Sequence, residues 1–180
     1  FQWPDPPGAP EGDLVLDVSL SVGAGEPVAR AVTLARVPGV RERLDALAQP
    51  LSEEAPALEA RTLKARLKLL ESLAAGSTEE TDFPAARLLV EAEAMSAAAA
   101  TGAPWFGAEA RGQHWLSVPV GRRAASVRLL VPPSYDPARP GPIVVALHGR
   151  GGSEHLFFDA SGPGPAAPPC EARGCAMGAP

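Results

Sequence analysis

The chain has 180 residues, 46% hydrophobic and 21% charged, with a formal net charge of −5 and a mean hydropathy of +0.01. That size suits one domain or two small ones, and the apolar share suffices for a packed core in a soluble protein. The charge balance argues against nucleic acid as a partner, and no run of 18 apolar residues offers a membrane helix. Two cysteines, Cys170 and Cys175, leave both a cytoplasmic and an exported setting open. The chain starts at Phe1 rather than Met, and both ends read as cuts. Oligomeric state is not readable.

Residues 1–12 carry too much Pro and Gly for regular structure and read as a disordered Pro-rich segment. Leu14, Leu16, Val18, Leu20 and Val22 then alternate with Val15, Asp17, Ser19 and Ser21, the period of a strand with one polar face. Residues 27–101 read as helical. Val40, Leu44, Leu47 and Leu51 form one stripe, and Leu63, Leu67, Leu70 and Ala74 a second. Arg61, Lys64, Arg66 and Lys68 surround the second stripe as a solvated face. Ser77 with Glu80, or Asp82 with Pro84 behind it, would cap a third helix that buries Leu88, Ala92, Met95 and Ala99. A mostly helical region over 13–102 follows from this, then a linker over 103–112. Trp105, Phe106 and Trp115 flank that joint and should pack helices onto a sheet.

Beyond the joint the period changes. His114, Leu116, Val118 and Val120 alternate, Gly121-Arg122-Arg123 turns, and Val127, Leu129 and Val131 alternate again, which predicts a β-hairpin. A stiff loop, Pro132 to Pro137, leads to the apolar run Ile143–Leu147, read as a strand buried on both faces. It stops at His148-Gly149-Arg150-Gly151-Gly152-Ser153, where glycines let the backbone turn sharply and present bare N–H groups. The last twenty residues hold Pro163, Pro165, Pro168 and Pro169, which forbid a regular helix there and predict a loose tail.

The order hairpin, Pro-Ser-Tyr-Asp-Pro loop, apolar strand, His-Gly-x-Gly-Gly resembles the start of the α/β-hydrolase fold, in particular esterases and predicted peptidases of the dienelactone-hydrolase and polyhydroxybutyrate-depolymerase type. Phe157–Ala160 and Cys170–Gly174 also look like that family's first helix and its exit. The resemblance covers residues 113–180. It implies an incomplete α/β-hydrolase domain there, and a chain that is α+β to α/β overall, helical first and then the opening three strands of a larger sheet. It implies a serine hydrolase acting on a small ester or peptide, without a cofactor. In that family the turn after this strand supplies a backbone oxyanion donor, here Arg150 or Gly151, with His148, Gly149 and Gly152 supporting the loop.

No G-x-S-x-G is present, so the nucleophile and its acid and base partners are expected beyond Pro180, and no catalytic residue lies in this chain. Cys175–Pro180 occupies the place of the next buried strand but is weakly apolar for it. Other chemistries are weaker. Ser153 with His155 is better explained by a helix cap. The 149–152 glycines lack the Gly-Lys-Ser/Thr ending of a phosphate loop. Cys170 and Cys175 lack two further metal ligands, and a local disulfide between them calls for an exported protein. A non-catalytic reading also stands: a helical interaction or scaffold module carrying a vestigial hydrolase segment.

Overall fold

The structure is a computed structural model that describes residues 8, 10–21, 23, 25–48, 57–77, 84–139, 141–149, 157–158, 170 and 172–180. In chain order the elements are β1 (Gly12–Leu20), β2 (Val28–Arg36), α1 (Val40–Leu47), α2 (Ala57–Ala74), α3 (Ala85–Ala100), β3 (Gly112–Val120), β4 (Arg123–Val131), β5 (Ile143–Val145) and β6 (Ala176–Ala179). Three helices and two separate sheets make the chain a mixed α+β protein. Contacts divide it into two units: residues 1–50 with 66–94, and residues 51–65 with 95–180.

In the first unit β1 and β2 form an antiparallel hairpin, paired from Gly12↔Arg36 to Leu20↔Val28. Residues 28–36 were expected to be helical, and this is a correction. Alanine favours helix locally, but Val-Ala-Arg-Ala-Val-Thr-Leu-Ala-Arg also alternates, and β1 offers a partner at every position. Leu14 and Leu16 are half-buried and pair with Leu34 and Val32 in the register. Helix α1 buries Leu44 and Leu47 as its stripe foretells.

Helix α3 buries Leu88, Ala92, Met95 and Ala99, the stripe read from its spacing, together with Ala86 and Leu89. Its N-terminus takes its acceptor from far away. The amides of Ala86 and Arg87 donate to the two carboxylate oxygens of Asp13 on β1, at 2.9 and 3.0 Å. The expected local cap, Ser77 with Glu80 or else Asp82, is not what holds these amides: Ser77 closes the end of α2, its amide donating to the Ser72 carbonyl at 3.0 Å, while Glu80 and Asp82 lie outside the described residues.

Helix α2 departs from its expected stripe. Leu63 and Leu70 are buried, Leu67 is half-buried and Ala74 is exposed, while Glu59, Thr62 and Arg66 join the buried side. Lys64 and Lys68 face water, but Arg66 does not belong to a solvated face. It reaches Glu91 at 3.3 Å, and burial pulls its guanidinium below the usual arginine range, opposed by Glu91. A buried cation beside a carboxylate is tolerated where an isolated one is not.

In the second unit the strands run β3-β4-β6-β5. The β3–β4 hairpin forms as its alternation predicts, closing through Gly121-Arg122 between Val120 and Arg123, with Gly121 at φ +59°. That left-handed conformation is what glycine supplies cheaply. The sheet has four strands, not three. The weakly apolar Ala176–Ala179 inserts between β4, to which it is antiparallel, and β5, to which it is parallel. Met177 and Ala179 are fully buried there, in a cluster with Leu130, Phe158, Cys170 and Cys175. The expected loose tail is therefore corrected for 172–180; residues 161–169 lie outside the described residues.

Strand β5 reverses another expectation. It was read as buried on both faces, yet Ile143 is 63%, Val145 61% and Leu147 71% exposed. β5 is an edge strand like β3, but Trp115 and Ser117 on β3 are buried while these side chains stay exposed: apolarity does not bring burial unless something packs over the strand's faces. The opposite edge is covered: the amide of Ser117 in β3 donates to the Thr62 hydroxyl of α2 at 3.1 Å.

Candidate functional site

The chemistry expected from the sequence begins where β5 ends. Strands β5 and β6 are parallel, in register from Ile143↔Ala176 to Val145↔Gly178. The pairing continues one step further, since the amide of Ala146 donates to the Gly178 carbonyl at 2.8 Å. Both strands thus present their carboxyl ends on one side, and the chain passes there into Leu147, His148 and Gly149. In open α/β sheets ligands bind beyond such carboxyl ends, where loops and amides converge.

His148 is half-buried, and its Nδ1–H donates to the carbonyl of Gly149 at 2.8 Å. That bond bends the ring back on its own backbone. Gly149 is exposed, and no atom lies within 4 Å of the place a Cβ would occupy. Arg150, Gly151 and Gly152, the expected donor and support positions, lie outside the described residues, as do Ser153 and His155. The structure therefore describes the approach to the turn and the two parallel strands beneath it.

A second concavity lies in the same unit at the other end of these strands. It is a cavity of about 390 Å³ lined by Leu58, Phe106, His114, Leu116, Leu129 and Tyr135, among others, and closed below by Gly141–Ile143 and Ala176. The amino ends of β5 and β6 form its floor, so it sits away from the turn at His148. Its walls come from the alternating set His114, Leu116, Leu129 and Val131 that the sequence marks as apolar. Those residues are only half-buried, whereas the opposite face of the hairpin, with Trp115, Ser117, Arg128 and Leu130, is buried.

Two polar arrangements hold the walls. The Arg111 guanidinium donates to the carbonyls of Ala108, Ala110 and Tyr135 at 2.7, 3.0 and 2.9 Å, and lies 5.3 Å from the Tyr135 ring centroid. Buried Glu59 accepts from the amides of Trp105 and Phe106 at 3.2 and 3.3 Å, and Phe106 meets His114 edge-on at 5.9 Å. Of the three flanking aromatics, Phe106 meets the sheet through His114, Trp105 ties to the start of α2 through its backbone amide, and Trp115 lies on the other face of the hairpin against Arg128. Asp136 of the Tyr-Asp-Pro loop is spent on its own turn, accepting from the Ala138 amide at 2.9 Å.

On the buried face Arg128 was not singled out by sequence. Its guanidinium lies 4.6 Å from the Trp115 ring centroid and 4.7 Å from that of Phe158, and donates to Gln113 Oε1 at 2.7 and 3.2 Å. An arginine between Val127 and Leu129, the apolar set of an alternating strand, looks solvent-facing in one dimension. Only the aromatic rings brought from distant positions reveal it as a packed cation.

Among the described residues no group of three or more His, Cys, Asp or Glu is placed to hold a metal ion, and no helix is long and apolar enough to cross a membrane. The chain matches no protein family profile, no curated protein and no solved structure.

Proposed function

We propose that residues 113–180 are the opening part of an α/β-hydrolase domain, and that the activity they serve is serine-dependent hydrolysis of a carboxylic ester or peptide bond. The turn Arg150–Gly151 would offer a backbone N–H to the tetrahedral oxyanion, with His148 bracing the loop. The nucleophile would come from sequence outside this chain. One observation carries the reading: β5 is parallel to its neighbour β6, and its carboxyl end leads directly into His148-Gly149. A parallel neighbour requires a crossover connection, and crossovers belong to α/β sheets. The antiparallel β3–β4 hairpin alongside is compatible, since mixed sheets of this kind are common.

On this reading the chemistry belongs at the carboxyl ends of β5 and β6, beyond His148-Gly149. Oxyanion donors act where the carboxyl ends of parallel strands meet their loops. The 390 Å³ cavity lies at the amino ends, and its lining offers one imidazole and one phenol among apolar side chains. It is not the hydrolytic site of this proposal.

The test has two arms. Labelling the chain with a fluorophosphonate probe should give no adduct, because a competent serine is lacking. Reading the gene downstream of Pro180 should show a strand followed by Gly-x-Ser-x-Gly, and a polypeptide extended through it should be labelled at that serine. An adduct on Ser153, or a reading frame without the strand and elbow, would overturn the proposal.

A further inference from the structure

The two cysteines are separated by four residues, yet the fold closes that interval. Cys170 and Ala172 are helical, and Gly174 then takes φ +65°. The Cys175 amide donates back to the Cys170 carbonyl at 3.0 Å, joined by the Arg173 amide at 3.2 Å. This six-to-one bond past a left-handed glycine is the closure of a helix end that brings the third-last residue against the second one beyond the turn. Here those two residues are Cys170 and Cys175. The Cys175 thiol itself donates to the Cys170 carbonyl at 3.4 Å, and both side chains are buried in one cluster with Met177 and Leu130. Gly174 has little freedom to be anything else, since a Cβ there would meet the Ser134 hydroxyl at 3.4 Å in a conformation that side chains rarely adopt.

We propose that Cys170 and Cys175 form a reversible dithiol–disulfide site whose oxidised state the folded chain favours. The oxidant class is a small-molecule disulfide. Each cysteine gives up its thiol proton, and the pair gives up two electrons. The S–S bond of the small disulfide breaks and leaves as two thiols, while one S–S bond forms between Cys170 and Cys175. The turn already holds the two residues side by side, so the fold has met the ordering cost of closing the ring. Burial pushes the Cys170 thiol above its ordinary range, and its Cys175 neighbour pushes it further, which slows its exchange. The cross-link would tie a helix end to the first residue before β6, the inner strand of the four-stranded sheet. This inference is independent of the hydrolase reading.

The experiment equilibrates the full chain with reduced and oxidised glutathione, folded and in urea, then quenches with acid and alkylates. Trypsin cuts after Arg173 and separates the two cysteines, so a disulfide appears as two linked peptides that part on reduction. The folded chain is expected to be half-oxidised at a glutathione ratio at least tenfold more reducing than the urea-unfolded chain. Its melting midpoint should rise on oxidation by linkage. Cys170→Ser should abolish the linked peptides and leave only a glutathione adduct on Cys175. An equal or less favourable ratio in the folded state, glutathione adducts in place of linked peptides in the parent chain, or a cross-link only between two chains would overturn the inference.

Discussion

Strands β5 and β6 lie side by side in one sheet and live in opposite surroundings. Ile143, Val144 and Val145 on β5 are exposed, although they are three β-branched residues in a row. Met177, Gly178 and Ala179 on β6 are buried, although two of the three have almost no side chain. The difference is one of neighbours. Strand β6 has β4 on one side and β5 on the other, and Met177 drops into a cluster with Leu130, Phe158 and both cysteines. Among the described residues strand β5 pairs with β6 alone, and its apolar side chains are exposed. The far edge of the sheet shows the alternative, with Thr62 of α2 seated on β3. What packs over a strand's faces decides burial, and hydrophobicity decides what that burial is worth.

Substitutions on the two strands should separate sharply. Met177→Ala should cost about 2–5 kcal/mol in a urea titration, the range for emptying a closed core site. Val145→Lys should change stability by no more than about 0.5 kcal/mol, as exposed positions do. It should also lower self-association in light scattering, because a charge on a bare apolar edge blocks edge-to-edge pairing. Equal costs at the two positions would break the contrast.

The buried face of the β3–β4 hairpin extends the comparison from apolar residues to a cation. Arg128→Ala should cost about 2–3 kcal/mol, since it removes a desolvated cation–π stack on Trp115 and Phe158 and strips Gln113 of its donor. The change should also shift tryptophan emission, as Trp115 loses the group over its ring.

Smaller effects belong to the polar contacts of the first unit. Asp13→Ala should cost about 1 kcal/mol by uncovering the first amides of α3. Asp13→Asn should recover most of that loss, because an amide oxygen can still accept.

The smallest effect is the Arg43–Glu93 fork, at 2.6 and 2.7 Å and partly exposed. Its hydrogen bond from Arg43 holds the Glu93 carboxyl below the ordinary value of 4.5, against a lesser opposing pull from burial. A depressed folded value means the contribution is present above that ordinary value and lost as pH falls through the folded one. Glu93→Gln should therefore cost no more than about 0.5 kcal/mol at neutral pH after solvent screening. Parent and variant should melt together in strong acid. A gap that persists there would show that the glutamate packs rather than pairs.

Residues whose structure follows from near neighbours were legible. The α3 stripe from Leu88 to Ala99 repeats at the helical period, and the β3–β4 hairpin alternates on either side of a glycine turn, so a few adjacent positions specify each. The approach to the candidate turn was legible for the same reason: an apolar run ending in His148-Gly149 reads as a strand leaving its sheet. Other features depend on chain segments far apart. Strand β2 is alanine-rich and becomes a strand because β1 pairs with it. The cap of α3 is Asp13, more than seventy residues upstream. Arg66 and Arg128 carry the sequence signature of solvent-facing cations and are buried because a carboxylate and two aromatic rings arrive from elsewhere.

Local periodicity thus settled helix α3 and the β3–β4 hairpin, because backbone hydrogen bonding and side-chain alternation act over a handful of residues. Tertiary structure alone settled that Ala176–Ala179 runs through the middle of the sheet, that Ile143–Val145 stays at its rim, and that Cys170 meets Cys175. Those outcomes turn on which surfaces find each other, and no short stretch of chain contains both halves of such a contact.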